Sequence, residues 1–273
     1  MSKPIEELTF TDDGMFQTVM RDPEICKELV ERLLHIQIKN IEYPELEKTI
    51  APYYTSRGIR LDVYLQDNEK VIDVELQCYP QESLGKRTRY YQSMCDMDNL
   101  MKGQDYSELK ENYVLFICKT DPFKDENNQY FGLPCYSFKN ICLENNDVIL
   151  NDKSKKVIYN ASAYELEKDE RIKALLKFIY TNKPGKDDFS NHLSKIVEQL
   201  KVNEKFRREY SIMNLHDRDL IRATKKETTE ENAIEHAINL LKMNLGTPEQ
   251  ISQAIGLPLE RVLELQKEIS VTV

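Results

Sequence analysis

Long apolar runs, glycine-rich loops and paired cysteine or histidine ligands are all missing from this chain, and each gap removes a class of function. No hydrophobic stretch approaches the roughly 20 residues needed to span a bilayer, so no membrane segment is expected. The first ten residues lack the basic-then-apolar order of a secretion signal, which points to a cytoplasmic protein. Only 8 glycines occur, and none builds a dinucleotide fingerprint. Gly85-Lys86 and Gly185-Lys186 lack the upstream glycine of a phosphate loop, and no GxSxG nucleophile elbow exists. His35, His192, His216 and His236 form no HExxH and no pair at i+4, which removes the usual zinc arrangement. Six cysteines (Cys26, Cys78, Cys95, Cys118, Cys135, Cys142) are scattered without a CxxC or a framework spacing. Reduced thiols are the natural expectation, with Cys118 and Cys142 in the core because they lie in apolar, strand-like runs. Basic charge is also in deficit: 38 Lys and Arg face 47 Asp and Glu, a net charge of −9. That argues against broad nonspecific nucleic-acid binding while leaving room for a local basic groove.

What is present fits a globular protein. A hydrophobic content of 40% with 15 Tyr and 9 Phe over 273 residues supports one substantial core and a smaller appended module. Residues 12–38 carry a helical stripe (Phe16, Val19, Met20, Leu29, Val30, Leu33, Leu34), with a break near Arg21 forced by Pro23 and Asp22 as N-cap. Residues 58–65 alternate almost strictly and 70–78 put Ile72, Val74 and Leu76 on one face, and around Gln66-Asp67-Asn68-Glu69 they predict a hairpin. A helix follows over 82–102, then a continuous apolar strand at 113–118 of the kind buried on both faces. Peripheral strands are expected at 134–142 and 156–162. This order predicts an α/β fold, a mixed sheet flanked by helices, over residues 1–165. An all-helical C-terminal region, 166–273, is expected next: helices over 166–180 and 189–210, a charge-rich 217–232, a helical stripe from Ala233 to Leu245, and two final helices opened by Thr247 and Pro258.

Two short segments carry the candidate chemistry, Arg60-Leu61-Asp62-Val63 and Val74-Glu75-Leu76-Gln77. Residues i and i+2 of a strand share a face, so Glu75 and Gln77 project together, and Asp62 joins them if the two strands pair. Two carboxylates suit a hard cation such as Mg²⁺, and an amide can orient a water or touch a phosphate. The same alternation also fits a plain solvated face, and on these residues alone both readings stand. Asp73 shares the face and is expected at the solvated end of the sheet.

Asp62, thirteen residues, then Glu75-x-Gln77 resembles the D-x(n)-E-x-Q form of the PD-(D/E)XK nuclease active site. More narrowly, the chain resembles the recombination-promoting nuclease/transposase family. Three further segments carry that resemblance: Thr11-Asp12-Asp13-Gly14-Met15-Phe16, then Lys86-Arg87-Thr88-Arg89-Tyr90-Tyr91 with Gly103 and Tyr106, and the C-terminal stretch from Leu245 to Val262. The resemblance implies a restriction-endonuclease-like fold and Mg²⁺-dependent cleavage of DNA, with Mn²⁺ as a substitute. It implies Asp62 and Glu75 as metal ligands, Gln77 in the place of the usual lysine, and Asp13 as a further ligand or support. Gln17 departs from the family, which often has Lys there. A nuclease fold without useful turnover, acting as a DNA-binding or protein-interaction module, is the alternative. Asp13 equally suits an N-cap. Lys86, Arg87 and Arg89 suit contacts to a DNA backbone, and equally the solvated side of an ordinary helix with Tyr91 in the core. The last two helices have helix-turn-helix spacing. Glu260, Glu264 and Glu268 there favour packing or homo-oligomerisation over phosphate contact.

Overall fold

The computed structural model describes residues 3–39, 44–51, 57–80, 82–243 and 245–271, without the side chains of 213–231 and 269–271. His216 and nearly all of the charge-rich 217–232 segment therefore lie outside the described side chains.

The N-terminal stripe forms two helices, α1 (Asp13–Met20) and α2 (Pro23–Leu34). The break falls where proline requires it. Pro23 has no N–H to donate, and the Asp22 carboxylate accepts from the next two amides, Glu24 at 2.9 Å and Ile25 at 3.3 Å. α2 ends at His35, which adopts the left-handed conformation at φ 53°. All seven stripe residues are buried, each contributing about 1.5–3 kcal/mol when fully removed from water.

Six strands form one mixed sheet in the order β1-β2-β3-β4-β6-β5. They are β1 (Glu45–Ile50), β2 (Ile59–Gln66), β3 (Lys70–Gln77), β4 (Glu111–Cys118), β5 (Cys135–Phe138) and β6 (Ser154–Asn160). The hairpin of β2 and β3 turns on Asp67, whose Oδ1 accepts from the amides of Glu69 and Lys70, both at 2.7 Å. β3 is antiparallel to β2 but parallel to β4, and α3 (Leu84–Asn99) makes the crossover. β4 is parallel to β6 and is buried from Val114 to Cys118, as its apolar run predicts.

Several expectations change, and one strand is unanticipated. β1 escapes a sequence reading because only Ile50 of its six residues is buried. β6 is an inner strand, paired with both β4 and β5, and its polar first half conceals the buried Val157, Ile158 and Tyr159. Cys142 lies outside any strand and is half-buried, whereas Cys118 is core. The strand expected at 134–142 stops at Phe138, so the apolar Ile141 remains exposed.

The chain divides into two compact units, Lys3–Arg207 and Arg208–Val273. A boundary near residue 165 therefore falls inside the first unit. The reason is packing: α4 (Glu170–Thr181) and α5 (Asp188–Val202) bury Leu175, Leu176, Phe178, Ile179, Leu193 and Val197. The Phe178 ring stands 5.6 Å from Phe10. Arg32 of α2 fastens both helices, donating to Asp187 Oδ2 at 2.8 Å and to the Arg171 carbonyl at 3.0 Å. Gly185 in the intervening turn comes so close to α4 that a Cβ would stand 2.5 Å from Ala174.

Segments expected as separate pieces join into one long helix, α6 (Glu204–Lys242). In the second unit, α7 (Pro248–Ile255) opens on a capping box between Thr247 and Gln250 and ends at Gly256, φ 78°. α8 (Leu259–Val271) follows. Ala237, Ile251, Leu257, Val262 and Leu265 form their shared core. Among the described residues no helix is long and apolar enough to cross a membrane.

Candidate active site

The β2–β3 register sets Val63 opposite Val74 and Tyr64 opposite Asp73. Alternation then brings Tyr64, Asp73, Glu75 and Gln77 to one face, while Asp62, one residue before the paired stretch, joins them through side-chain bonds. The two sequence-predicted acids interlock through each other's backbone. Glu75 Oε1 accepts from the Asp62 amide at 2.9 Å, and Asp62 Oδ2 accepts from the Leu76 amide at 3.1 Å. These bonds fix both carboxyl groups to the central strands rather than letting them sweep through solvent.

α3 covers this face and delivers Arg87. Its Nη2 meets Glu75 Oε2 at 2.7 Å, its Nη1 donates to Gln77 Oε1 at 2.7 Å, and its Nε donates to the Tyr91 hydroxyl at 3.0 Å. The guanidinium also lies over the rings of Tyr91 and Phe116, 4.9 and 5.2 Å from their centroids. Gln77 completes its own contacts by donating to the Tyr79 carbonyl at 2.7 Å.

Burial dominates the electrostatics. It pushes the Glu75 carboxyl up to about 8, reinforced by the Asp62 charge and opposed by the Asp62 amide and Arg87. Asp62 is raised for the same first reason, with the Leu76 amide pulling back and the Asp13 charge adding to the rise. Asp73 is wholly buried, and neither of its oxygens finds a donor among the described residues. Burial, then the charges of Glu75 and Asp62, raise it well above the carboxylate range. Burial works against the Arg87 charge, yet the Tyr91 hydroxyl and the Glu75 carboxylate outweigh it and raise its pKa.

The structure thus brings Asp62, Glu75 and Gln77 together and adds Asp73, whose expected place at a solvated sheet end is wrong. Its strand is covered by α3, where Met94 and Cys95 are buried. Asp13 is the first residue of α1, not its N-cap, which is Asp12. Asp12 instead turns back to accept from Thr9 and Lys3. Asp13 comes near enough for its charge to act on Asp62, and just past β3 Cys78 donates its Sγ–H to the Thr11 carbonyl at 2.9 Å. Arg87 points into the site, while its neighbours Lys86 and Arg89 are exposed on α3. Gln17 donates weakly to Glu47 of β1 at 3.4 Å. Sequence reasoning missed the Arg87–Glu75 bridge. Its signal was Arg87 and Tyr91 at i and i+4 immediately after the ExQ strand.

Oxygen donors crowded into a buried face suit a hard divalent cation, which would relieve the repulsion that raises these pKa values. The orphaned oxygens of Asp73 beneath the pair support that fit. Among the described residues no group of three or more His, Cys, Asp or Glu is arranged to hold a metal. Asp13 stands close enough for its charge to act on Asp62.

A family model described as PD-(D/E)XK nuclease family transposase matches residues 14–237. The match runs from α1 through most of α6 and includes every residue of the face just described except Asp13. No curated protein and no solved structure matches the chain.

Proposed function

The chain belongs to the PD-(D/E)XK nuclease family transposases, and from that premise we propose that it is a Mg²⁺-dependent DNA endonuclease whose cation is held by Asp62 and Glu75. The supporting observation is the interlock of these two carboxyl groups beneath a single guanidinium. A bound Mg²⁺, or Mn²⁺ in its stead, would polarise the scissile phosphate and activate a water. The chain's own groups do the rest. Gln77 orients that water or a phosphate oxygen through its amide. Arg87 supplies the positive charge that Gln77 cannot, in a planar geometry matched to phosphate. The Asp13 charge favours cation binding at Asp62 from the side. Lys86 and Arg89, exposed on α3, contact the DNA backbone and position it. Cleavage of this kind would serve recombination or transposition.

A second reading has one observation in its favour. Arg87 already occupies Glu75 Oε2, so a protein that keeps this bridge would hold DNA without cutting it. Nicking of supercoiled plasmid in Mg²⁺ or Mn²⁺ separates the two. The nuclease reading expects wild type to nick and Asp62→Ala and Glu75→Ala to be inactive while folded. Equal cleavage by the variants, or none by wild type on any DNA, would refute the catalytic assignment. Homo-oligomerisation through the helical tail is proposed on the exposed Leu259 and Leu263 of α8. A mass by light scattering that stays monomeric at all concentrations rejects it.

A further inference from the structure

A second cationic site lies on the opposite face of the sheet, near the starts of β4 and β6. There a cavity of about 360 Å³ is lined by Glu111, Tyr113, Lys139, Lys153 and Lys155, with Ser137 and Phe138 at its edge. The register explains why the lysines converge. Tyr113 pairs with Lys155 across β4 and β6, and the β5–β6 ladder, extended one residue past Phe138, sets Lys139 beside Lys155. Val114 and Lys156, the next residues along, turn to the α3 side, where Lys156 bonds to Gln92. The cavity is therefore separate from the carboxylate face.

Its charge is unusual for a chain of net −9. Three ammonium groups face one carboxylate, and Glu111 is shared between a 3.9 Å ion pair to Lys153 and the Tyr113 hydroxyl at 3.0 Å. Lys139 and Lys155 have no ion-pair partner among the described residues. Unbalanced lysines around a half-buried tyrosine ring combine the two elements that hold single-stranded nucleic acid, phosphate attraction and a stacking surface. The volume is within the range of sites that take one small ligand, about 300–1,000 Å³, and a duplex would not enter it.

We propose that this cavity seats one nucleotide unit, with Lys139 and Lys155 on the phosphate and the Tyr113 ring against the base. The unit comes from a single-stranded nucleic acid or from a free nucleotide. Such a seat would let the protein hold a strand away from the place where it cuts.

The test is fluorescence anisotropy of the full chain with labelled dT6 in EDTA, where metal-dependent cleavage cannot contribute. Its outcome is therefore independent of the nicking assay. Lys139→Gln/Lys155→Gln should weaken binding about tenfold and flatten the dependence of log K on log salt by about 0.7 for each lysine removed. Tyr113→Leu should weaken binding several-fold with the salt slope unchanged, since stacking carries no charge. Circular dichroism of each variant checks folding, and the lysine pair is peripheral enough to retain it. Displacement of dT6 by dTMP alone identifies a mononucleotide seat, and displacement only by unlabelled dT6 identifies a strand; both support the site. No binding by wild type, or equal affinity in wild type and the lysine variant, overturns it.

Discussion

The Arg87 guanidinium donates to the Gln77 amide oxygen at 2.7 Å, joining the last residue of the ExQ strand to the helix that follows it. On the proposed function, Arg87 supplies the positive charge that Gln77 cannot. Arg87→Ala is expected to lower metal-dependent nicking about 10²–10³-fold, the scale of losing one preorganised charge donor. Plasmid-nicking rates measure it.

The same relationship predicts coupling. Gln77→Lys alone places two cations side by side and gains little. Gln77→Lys in the Arg87→Ala background should recover much of the lost rate. A double-mutant cycle with no interaction between the sites would mean that Arg87 acts only in folding.

Stability of the metal-free protein should fall as pH rises. The Glu75 pKa is raised from 4.5 to about 8 in the fold, so the folded state holds a proton that the unfolded state has released. The stability this proton provides is complete below about pH 4.5 and is lost as pH climbs through about 8. Asp73, also raised, acts in the same direction. Glu75→Gln and Asp73→Asn should each flatten the decline in Tm between pH 6 and 9 measured in EDTA. An unchanged slope in both would show that these carboxyls are ionised in the fold.

The first compact unit predicts where the chain can be cut. A fragment ending at residue 165 should fail to give a cooperative unfolding transition, because it loses the covering helices α4 and α5 and leaves Arg32 without Asp187. A fragment ending at residue 207 should fold. Within that unit, Arg32→Ala should cost about 3–5 kcal/mol, the usual loss on breaking a buried pair. Gly185→Ala should also destabilise, since its Cβ would collide with Ala174. Denaturant midpoints test both.

Strong periodicity made much of this fold legible. The Pro23 break, the β2–β3 hairpin, the apolar β4 and the Thr247 cap all follow from local patterns whose physical cause lies within a few residues. What escaped depends on distant partners. β1 is held by pairing to β2 rather than by its own apolar residues, and the half-polar β6 is buried only because strands lie on both sides. The same division runs through the candidate site. Asp62, Glu75 and Gln77 could be placed from spacing alone, but the burial of Asp73 requires knowing that α3 lies over it. The inward turn of Arg87 requires the same knowledge, because Lys86, Arg87 and Arg89 look alike in the sequence.

β3 bonds to neighbours along both edges, antiparallel on one side and parallel on the other. Its acids are consequently immovable: sliding the strand by one residue would break two ladders and turn Glu75 into the opposite core. The charge that meets them comes from one long side chain of a covering helix, Arg87. In this scaffold the anionic half is anchored by two ladders and the cationic half by a single side chain. Substitution at position 87 can therefore remove the positive charge while the sheet still holds the acids.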